Sequence, residues 1–314
     1  RCDNVTIRGQ VARTNAFPCG AFRGFGAPQA IWGIESHVDA IAARLGRAPH
    51  EYRRQIHARP GDVTPTGQVL SKENGSTACL ELALKRADFA KKLKQVSRGR
   101  LRKGQKKLYG VGLAFFAHGS AFTGDGEAKF KAKGRVELAR LEGGKPVVDI
   151  RVSSTEMGQG VHTIFTQIAA DALALAPAHV RFPMADTGLV PNSGPTVASR
   201  TTMVVGNVVH RAAQDLKRQI EAFASLRFFK GAPAELRDSQ LVAKGAKPVP
   251  FAKVAQALLA EIGPASGFFQ FELPADIRWD QATFKGDSYP GYSWSANVAE
   301  VEIDPLTCEM AVKR

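Results

Sequence analysis

An α+β fold is predicted for this chain, with antiparallel hairpins and helices packed on sheets. Three observations predict it. Apolar residues recur at intervals of three and four between Pro28 and Leu45, which is helical spacing. Alternating extended chain takes over after residue 108, with Glu142-Gly143-Gly144 set as a turn between two strands. Helical spacing then returns in long stretches from Val161 and Thr201. At 314 residues and 44% hydrophobic, the chain can bury a sizeable core and make two domains.

In the first helix Ile31, Ile34, Val38, Ile41, Ala42 and Leu45 form one apolar face, with Pro28 in the first turn and Gly46 at the end. A short helix from Pro49 to His57 precedes the turn Arg59-Pro60-Gly61-Asp62, and a third helix is expected from Thr77 to Leu93. Strands are read at Tyr109 to Ala117, Ala128 to Leu141 and Pro146 to Ser153. A helix from Val161 to Leu175 follows, then a strand at His179 to Phe182. The longest helix is expected from Thr201 to Phe223, and another from Pro250 to Ile262. Strands at Ser266 to Glu272 and Ser293 to Asp304 complete the pattern. The seam between domains is expected in the basic stretch from Val96 to Lys107, dividing the chain into 1–95 and 96–314.

Several function classes are disfavoured by composition. Cys2, Cys19, Cys79 and Cys308 are widely spaced, without the pairs of a zinc site or a disulfide scaffold, so reduced buried thiols are expected. No apolar run is long enough for a membrane span, and no signal peptide opens the chain, so a cytoplasmic location is expected. Much of the formal charge of +14 is local, in Lys91, Lys92, Lys94, Arg98, Arg100, Arg102, Lys103, Lys106 and Lys107. Such a cluster attracts polyanions. No aromatic residues are interleaved for base stacking, so a solvated face is expected there and nucleic acid is not.

Three Gly-rich or small-polar stretches each stand just before a predicted helix, where unpaired N–H groups favour anions and glycines admit close approach. The first runs from Asn15 to Gln29 and contains Phe22-Arg23-Gly24-Phe25-Gly26; it reads either as a shaped ligand loop or as an aromatic-packed turn. The second, Ser154 to Thr163, reads either as a helix start capped by Thr155 or as a binding loop. In the third, Pro191 to Thr202, there are more small hydrogen-bonding side chains than capping needs, and the surplus points to an anionic ligand.

Together the segments Phe22 to Gln29, Glu156 to Gly160 and Pro195 to Ser199 resemble, in order and spacing, the molybdenum-binding large subunit of the xanthine dehydrogenase/aldehyde oxidase family. Tyr52-Arg53-Arg54 and Val301 to Thr307 add to the likeness. The resemblance implies two molybdopterin-binding domains, the end of a first in 1–95 and part of a second in 96–314. It implies a molybdenum-molybdopterin cofactor, of which a cytosine dinucleotide is one form, with iron-sulfur clusters and FAD on partner chains. The reaction implied is hydroxylation of an aldehyde or of a purine or nicotinate-like heterocycle, with water as oxygen source.

Carried over by motif, the backbone at Arg23 and Ala198 lies near the molybdenum without ligating it, and Gly24, Gly158, Gln159, Ser199 and Thr201 contact the cofactor. Phe25 forms one wall of the substrate slot. His118 falls where an aromatic residue faces substrate in purine oxidisers; read alone, it equally suits a strand-end hydrogen bond. Asp125 and Glu127 read as a turn, without a catalytic assignment. The family's Gly-Gly-x-Phe-Gly segment and the Gly-Glu-Pro segment with the catalytic glutamate are absent, so the chain is expected to be an incomplete piece, inactive alone. Its expected partners are the remaining large-subunit segments, iron-sulfur and FAD subunits and a small-molecule substrate, with a homo-oligomer compatible. The rival reading is a non-catalytic remnant that binds through its basic surface.

Overall fold

A computed structural model describes residues 6–17, 20, 22–97, 100, 101 and 103–314. Cys2, Cys19, Arg98 and Arg102 lie outside them. In chain order the elements are α1 (Ala27–Arg44), α2 (Pro49–Ile56), α3 (Ser76–Ala87), α4 (Phe89–Leu93) and β1 (Leu108–Gly119), then β2 (Lys133–Glu142), β3 (Lys145–Arg151), α5 (Val161–Leu173) and β4 (Val180–Arg181). After these come α6 (Gly206–Phe228), β5 (Ala234–Arg237), β6 (Gln240–Ala243), β7 (Val249–Pro250), α7 (Phe251–Glu261) and β8 (Ala265–Gln270). The last are β9 (Trp279–Asp280), β10 (Lys285–Gly286), β11 (Tyr292–Ile303) and β12 (Met310–Val312). The mixture is the expected α+β.

Residues 1–119 with 279–314 form one compact unit, and residues 120–278 form another. This partition by contacts differs from the sequence division at 95/96, because β1, which follows the basic stretch, pairs along its whole length with β11.

In the first unit, β1, β11 and β12 form an antiparallel sheet, and Leu80, Leu84, Ala87, Phe89, Leu113 and Phe115 make a small core. The expected single helix from Thr77 to Leu93 is two, because Asp88 takes a left-handed conformation (φ 50°) between α3 and α4. The apolar face expected on α1 exists but is not buried: only Ala42 is fully covered, while Ile34 and Leu45 are exposed. Buried Arg53 ties α1 to α2, with Nε 2.9 Å from Glu35 and Nη1 2.6 Å from Asp39. The expectation of buried thiols fails at Cys79, which is half-buried, and at Cys308, which is exposed in the turn between β11 and β12.

In the second unit, the sheet order is β4-β3-β2-β8, with β3 and β4 parallel and the rest antiparallel. The β2–β3 hairpin turns at Gly143 and Gly144, both at positive φ, as the sequence suggested. A bulge between Leu138 and Arg140 keeps Leu141 on the face of Val136 and Leu138; those two are buried, while Leu141, beside the hairpin turn, is exposed. The strand expected from Ala128 starts only at Lys133, because Gly126–Lys129 forms a 3-10 turn that buries Glu127. The strand expected at His179 to Phe182 shortens to β4 for a similar reason, a 3-10 turn at Pro177–His179. The small sheet β5-β6-β7 was not anticipated; its strands of four, four and two residues are too short to show a period.

Helix α6 packs on this sheet through Val208, Val209, Ala212, Ala213, Leu216 and Ile220, all inaccessible to solvent. Glycines set the closeness of that packing. A Cβ on Gly267 of β8 would collide with the Ala212 carbonyl oxygen and the Leu216 amide nitrogen, and one on Gly134 of β2 would stand 2.6 Å from Val208. Gly267→Ala is therefore expected to lower stability by about 3 kcal/mol, the upper part of the range for overpacking. Gly112→Ala, where a Cβ meets nothing within 4 Å, should cost no more than ~0.5 kcal/mol. Urea titration of both variants checks this, and similar losses would contradict it.

Candidate cofactor-binding site

Two of the three loops singled out in the sequence are joined in the second unit. The loop after β3 and the crossing from Pro191 to Arg200 are stitched by reciprocal bonds: the Ser153 amide donates to Ser193 Oγ at 3.0 Å, and the Ser193 amide to Ser153 Oγ at 2.9 Å. Ser193 Oγ also donates to the Lys133 carbonyl at 2.7 Å, and the Thr155 amide donates to Thr196 Oγ1 at 3.0 Å. Asn192 Oδ1 accepts from the Gly194 amide. Asn192, Ser193 and Thr196, part of the small polar surplus in this stretch, therefore hold the loops in shape.

The start of α5 differs from expectation. Thr155 does not cap it; the N-cap is Gly160 at φ 83°, and Glu156 reaches its open amides. The Glu156 carboxylate accepts from Gly158 at 2.7 Å, Gly160 at 3.0 Å and His162 at 3.2 Å. A fixed anion thus fills the positive end of the helix. These amide bonds, that of Gly160 foremost, hold the Glu156 carboxyl below the usual glutamate range. Gln159 is turned onto its own loop: Oε1 accepts from the Met157 amide at 2.5 Å, and Nε2 donates to the Thr155 carbonyl at 2.8 Å. Gly158, at φ 89°, needs glycine for that turn.

The crossing ends in strained backbone. Ala198 and Ser199 are consecutive non-glycine residues at φ 56° and 52°, a conformation that persists only where surroundings impose it. The Ser199 carbonyl accepts from the Ala121 amide at 3.4 Å. Thr201–Val205 then forms a π-helical turn leading into α6, and no side chain caps its start. Beneath lies Arg200, fully buried, whose Nε donates to Glu127 at 2.9 Å and whose Nη1 donates to the Ser193 and Pro195 carbonyls, each at 2.9 Å. Its Nη2 has no partner. Sequence reading gave Arg200 and Glu127 no role, and both stand in Gly-rich or small-polar runs that carry no sign of burial.

The third loop belongs to the first unit. Gly24, Phe25 and Gly26 take φ of 101°, 49° and 89° in succession, and a Cβ on Gly24 would stand 2.7 Å from the Pro28 ring. The Phe25 amide donates to the Phe22 carbonyl at 2.8 Å. The aromatic-packed turn offered as one reading is not found: Phe22 and Phe25 are 82% and 83% exposed, and Arg23 is exposed beside them. His118, near the end of β1, places Nδ1 2.7 Å from the Gly119 carbonyl, the strand-end bond considered above. Nearby in the same unit, Ile31, Ile34, Val38, Phe115, Phe116 and Trp294 line an open apolar cleft of about 340 Å³.

A phosphate-bearing, pterin-like group fits what the second unit offers. The π-turn start is uncapped, and Ser199 and Thr201 flank it. Among the described residues no group of three or more His, Cys, Asp or Glu could hold a metal ion, so a metal here would need ligands brought with it.

The basic stretch is partly neutralised. Lys92 pairs with Glu300, Lys91 with Asp88 at 3.8 Å, and Lys92 and then Tyr109 hold the Glu300 carboxyl below its usual range.

Sequence and structure comparisons agree on the class. Residues 82–314 match the profile of a Molybdopterin cofactor-binding domain, and residues 1–56 match a second profile of the same description. The chain belongs to the molybdopterin cofactor-binding domains of the xanthine dehydrogenase/aldehyde oxidase family. It is 29% identical to xanthine dehydrogenase of Oryza sativa subsp. japonica over 97% of its own length and 20% of that protein's. To the xanthine dehydrogenase molybdenum-binding subunit of Escherichia coli O157:H7 it is 31% identical, over 70% of this chain and 28% of the relative. The aldehyde oxidoreductase of Desulfovibrio gigas superposes with a TM-score of 0.66 at 22% identity, over 93% of this chain and 28% of that one. CO dehydrogenase of Oligotropha carboxidovorans gives 0.70 at 18%, over 92% and 36%. The chain thus spans well under half the length of these relatives.

The Glu156 cap makes a pH prediction. With its folded value lowered, its contribution is complete above about pH 4.5, the ordinary glutamate value, and is lost as pH falls through the lowered folded value. Glu156→Gln should melt at a lower temperature than the parent at pH 7, with the gap closing below pH 4.5. A gap independent of pH would contradict the cap.

Proposed function

We propose that this chain is the molybdenum-cofactor-binding portion of a molybdenum hydroxylase that oxidises a purine or nicotinate-like heterocycle, or an aldehyde, with water as oxygen source. The observation that carries the reading is the stitching of the Glu156 to Gly160 loop to the Pro191 to Thr201 loop, through Ser153–Ser193 and Thr155–Thr196. Molybdenum on a molybdopterin, in one form a cytosine dinucleotide, supplies the redox chemistry, and the chain's own residues position it.

In this reading, backbone at Arg23 and Ala198 approaches the metal without ligating it. Gly24, Ser199 and Thr201 offer amides or hydroxyls to the pterin and phosphate, and Gly158, whose amide Glu156 already takes, is assigned a contact through its bare Cα. Gln159 serves as a side-chain donor, which requires its Nε2 to exchange the Thr155 carbonyl for the cofactor; one hydrogen bond replaces another, so the exchange costs little. Phe25, already exposed, offers a flat apolar wall to a planar substrate, and His118 is assigned as a second substrate contact. No residue of this chain is assigned as the general base.

The partners proposed are the other segments of the large subunit and subunits bearing iron-sulfur clusters and FAD. Support comes from the fraction of each relative that the chain spans. The end of a first cofactor-binding domain is assigned to 1–95 and part of a second to 96–314. Among the described residues no helix is long and apolar enough to cross a membrane, and a cytoplasmic location is proposed. Pairing of Lys92 with Glu300 weakens the rival reading of a polyanion-binding remnant.

Metal and pterin analysis of the protein, co-produced with molybdopterin biosynthesis and its partner subunits, tests the assignment; absence of both would sink it. Phe25→Ala is expected to cut turnover at least tenfold while leaving molybdenum content within a factor of two. Equal loss of both would show that Phe25 holds the cofactor instead.

A further inference from the structure

Arg200 makes contacts that an ordinary structural ion pair does not need. Its Nε lies 2.9 and 3.1 Å from the two carboxylate oxygens of Glu127, and both side chains are excluded from solvent. Its Nη1 donates to two carbonyls of one loop, those of Ser193 and Pro195. The guanidinium stands over the Phe130 ring at 5.5 Å, and the Arg200 carbonyl accepts from the Val204 amide at 2.7 Å. One residue therefore closes the crossing into a ring, with the side chain holding its beginning and the main chain starting the helix at its end.

A buried ion pair adds little net stability over an apolar pair of the same volume, so stability alone does not account for it. What it fixes is geometry. Arginine presents donors in a rigid fork, which a lysine cannot reproduce. Gly194 completes the fit: it sits at φ 77°, and a Cβ there would stand 3.0 Å from both Nη1 and Nη2. Ala198 and Ser199, the two left-handed residues, lie inside the ring that this grip closes.

We propose that Arg200, locked by Glu127, is the positioning residue of the cofactor loop. Its grip on Ser193 and Pro195 holds Ala198 and Ser199 in the left-handed backbone that presents them, with Thr201, to the cofactor. The inference rests on the reading of this loop as a cofactor site. Arg200 touches the loop and not the cofactor.

The test compares Arg200→Lys and Gly194→Ala with the parent, each made as the full chain with its partner subunits and molybdopterin biosynthesis. Arg140→Lys serves as a control, since it alters an ion pair with Asp149 remote from the loop. Two quantities are read: hydrogen exchange of the amides from Val197 to Thr201 in cofactor-free protein, and molybdenum and pterin content as purified. Arg200→Lys should speed exchange at least tenfold and lower cofactor content at least fivefold, while the control moves neither. Should Arg200→Lys fail to fold, Gly194→Ala, which leaves every charge in place, is expected to give the same pair of changes. Faster exchange with full cofactor content, or cofactor loss with unchanged exchange, overturns the positioning role. A parent devoid of molybdenum and pterin removes the site itself, and the positioning role with it; a loaded parent with equally loaded variants removes the positioning role alone.

Discussion

A loop without regular structure keeps one shape only if its buried backbone groups find partners. From Pro191 to Arg200 the second unit has no helix or strand, yet Ser193 and Arg200 within it are completely buried. The partners are side chains: Ser193 bridges the loop to β2 and to the end of β3, and Arg200 takes two loop carbonyls and the Glu127 carboxylate. The position of Ala198 and Ser199, and the entry angle of the π turn, follow from those bonds.

The rigid platform beneath is the sheet β4-β3-β2-β8 with α6 pressed on it. Gly134 and Gly267 remove side chains where helix and strands approach, so α6 can follow the π turn at the loop's end and still pack along its length. The two parts depend on each other, since the loop is fixed at one end by β3 and at the other by a helix that the sheet holds.

Much of this was legible in the sequence. Apolar spacing of three and four located α1, α5, α6 and α7 to within a few residues, and Glu-Gly-Gly marked the β2–β3 turn. Periodicity could not show that Asp88 would take a left-handed conformation and break a helix, because that depends on where α4 must pack. Nor could it show whether the apolar face of α1 is covered, which is a property of neighbours. At the site, the three motifs were visible as Gly-rich and small-polar runs. Their wiring was not: that Glu156 caps α5, that Gln159 folds inward and that Arg200 meets Glu127 across 73 residues are contacts between distant or freely rotating groups. The comparisons supply the family; which residues of this chain meet the cofactor is the proposal above.

That central claim is tested most directly by hydrogen exchange on the protein with and without molybdenum cofactor. Cofactor binding should slow the amides of Gly158 to Gly160 and Ala198 to Thr201 together, since both segments are held in one stitched assembly. Bound cofactor with no change in either segment, or protection confined to other parts of the chain, would contradict it.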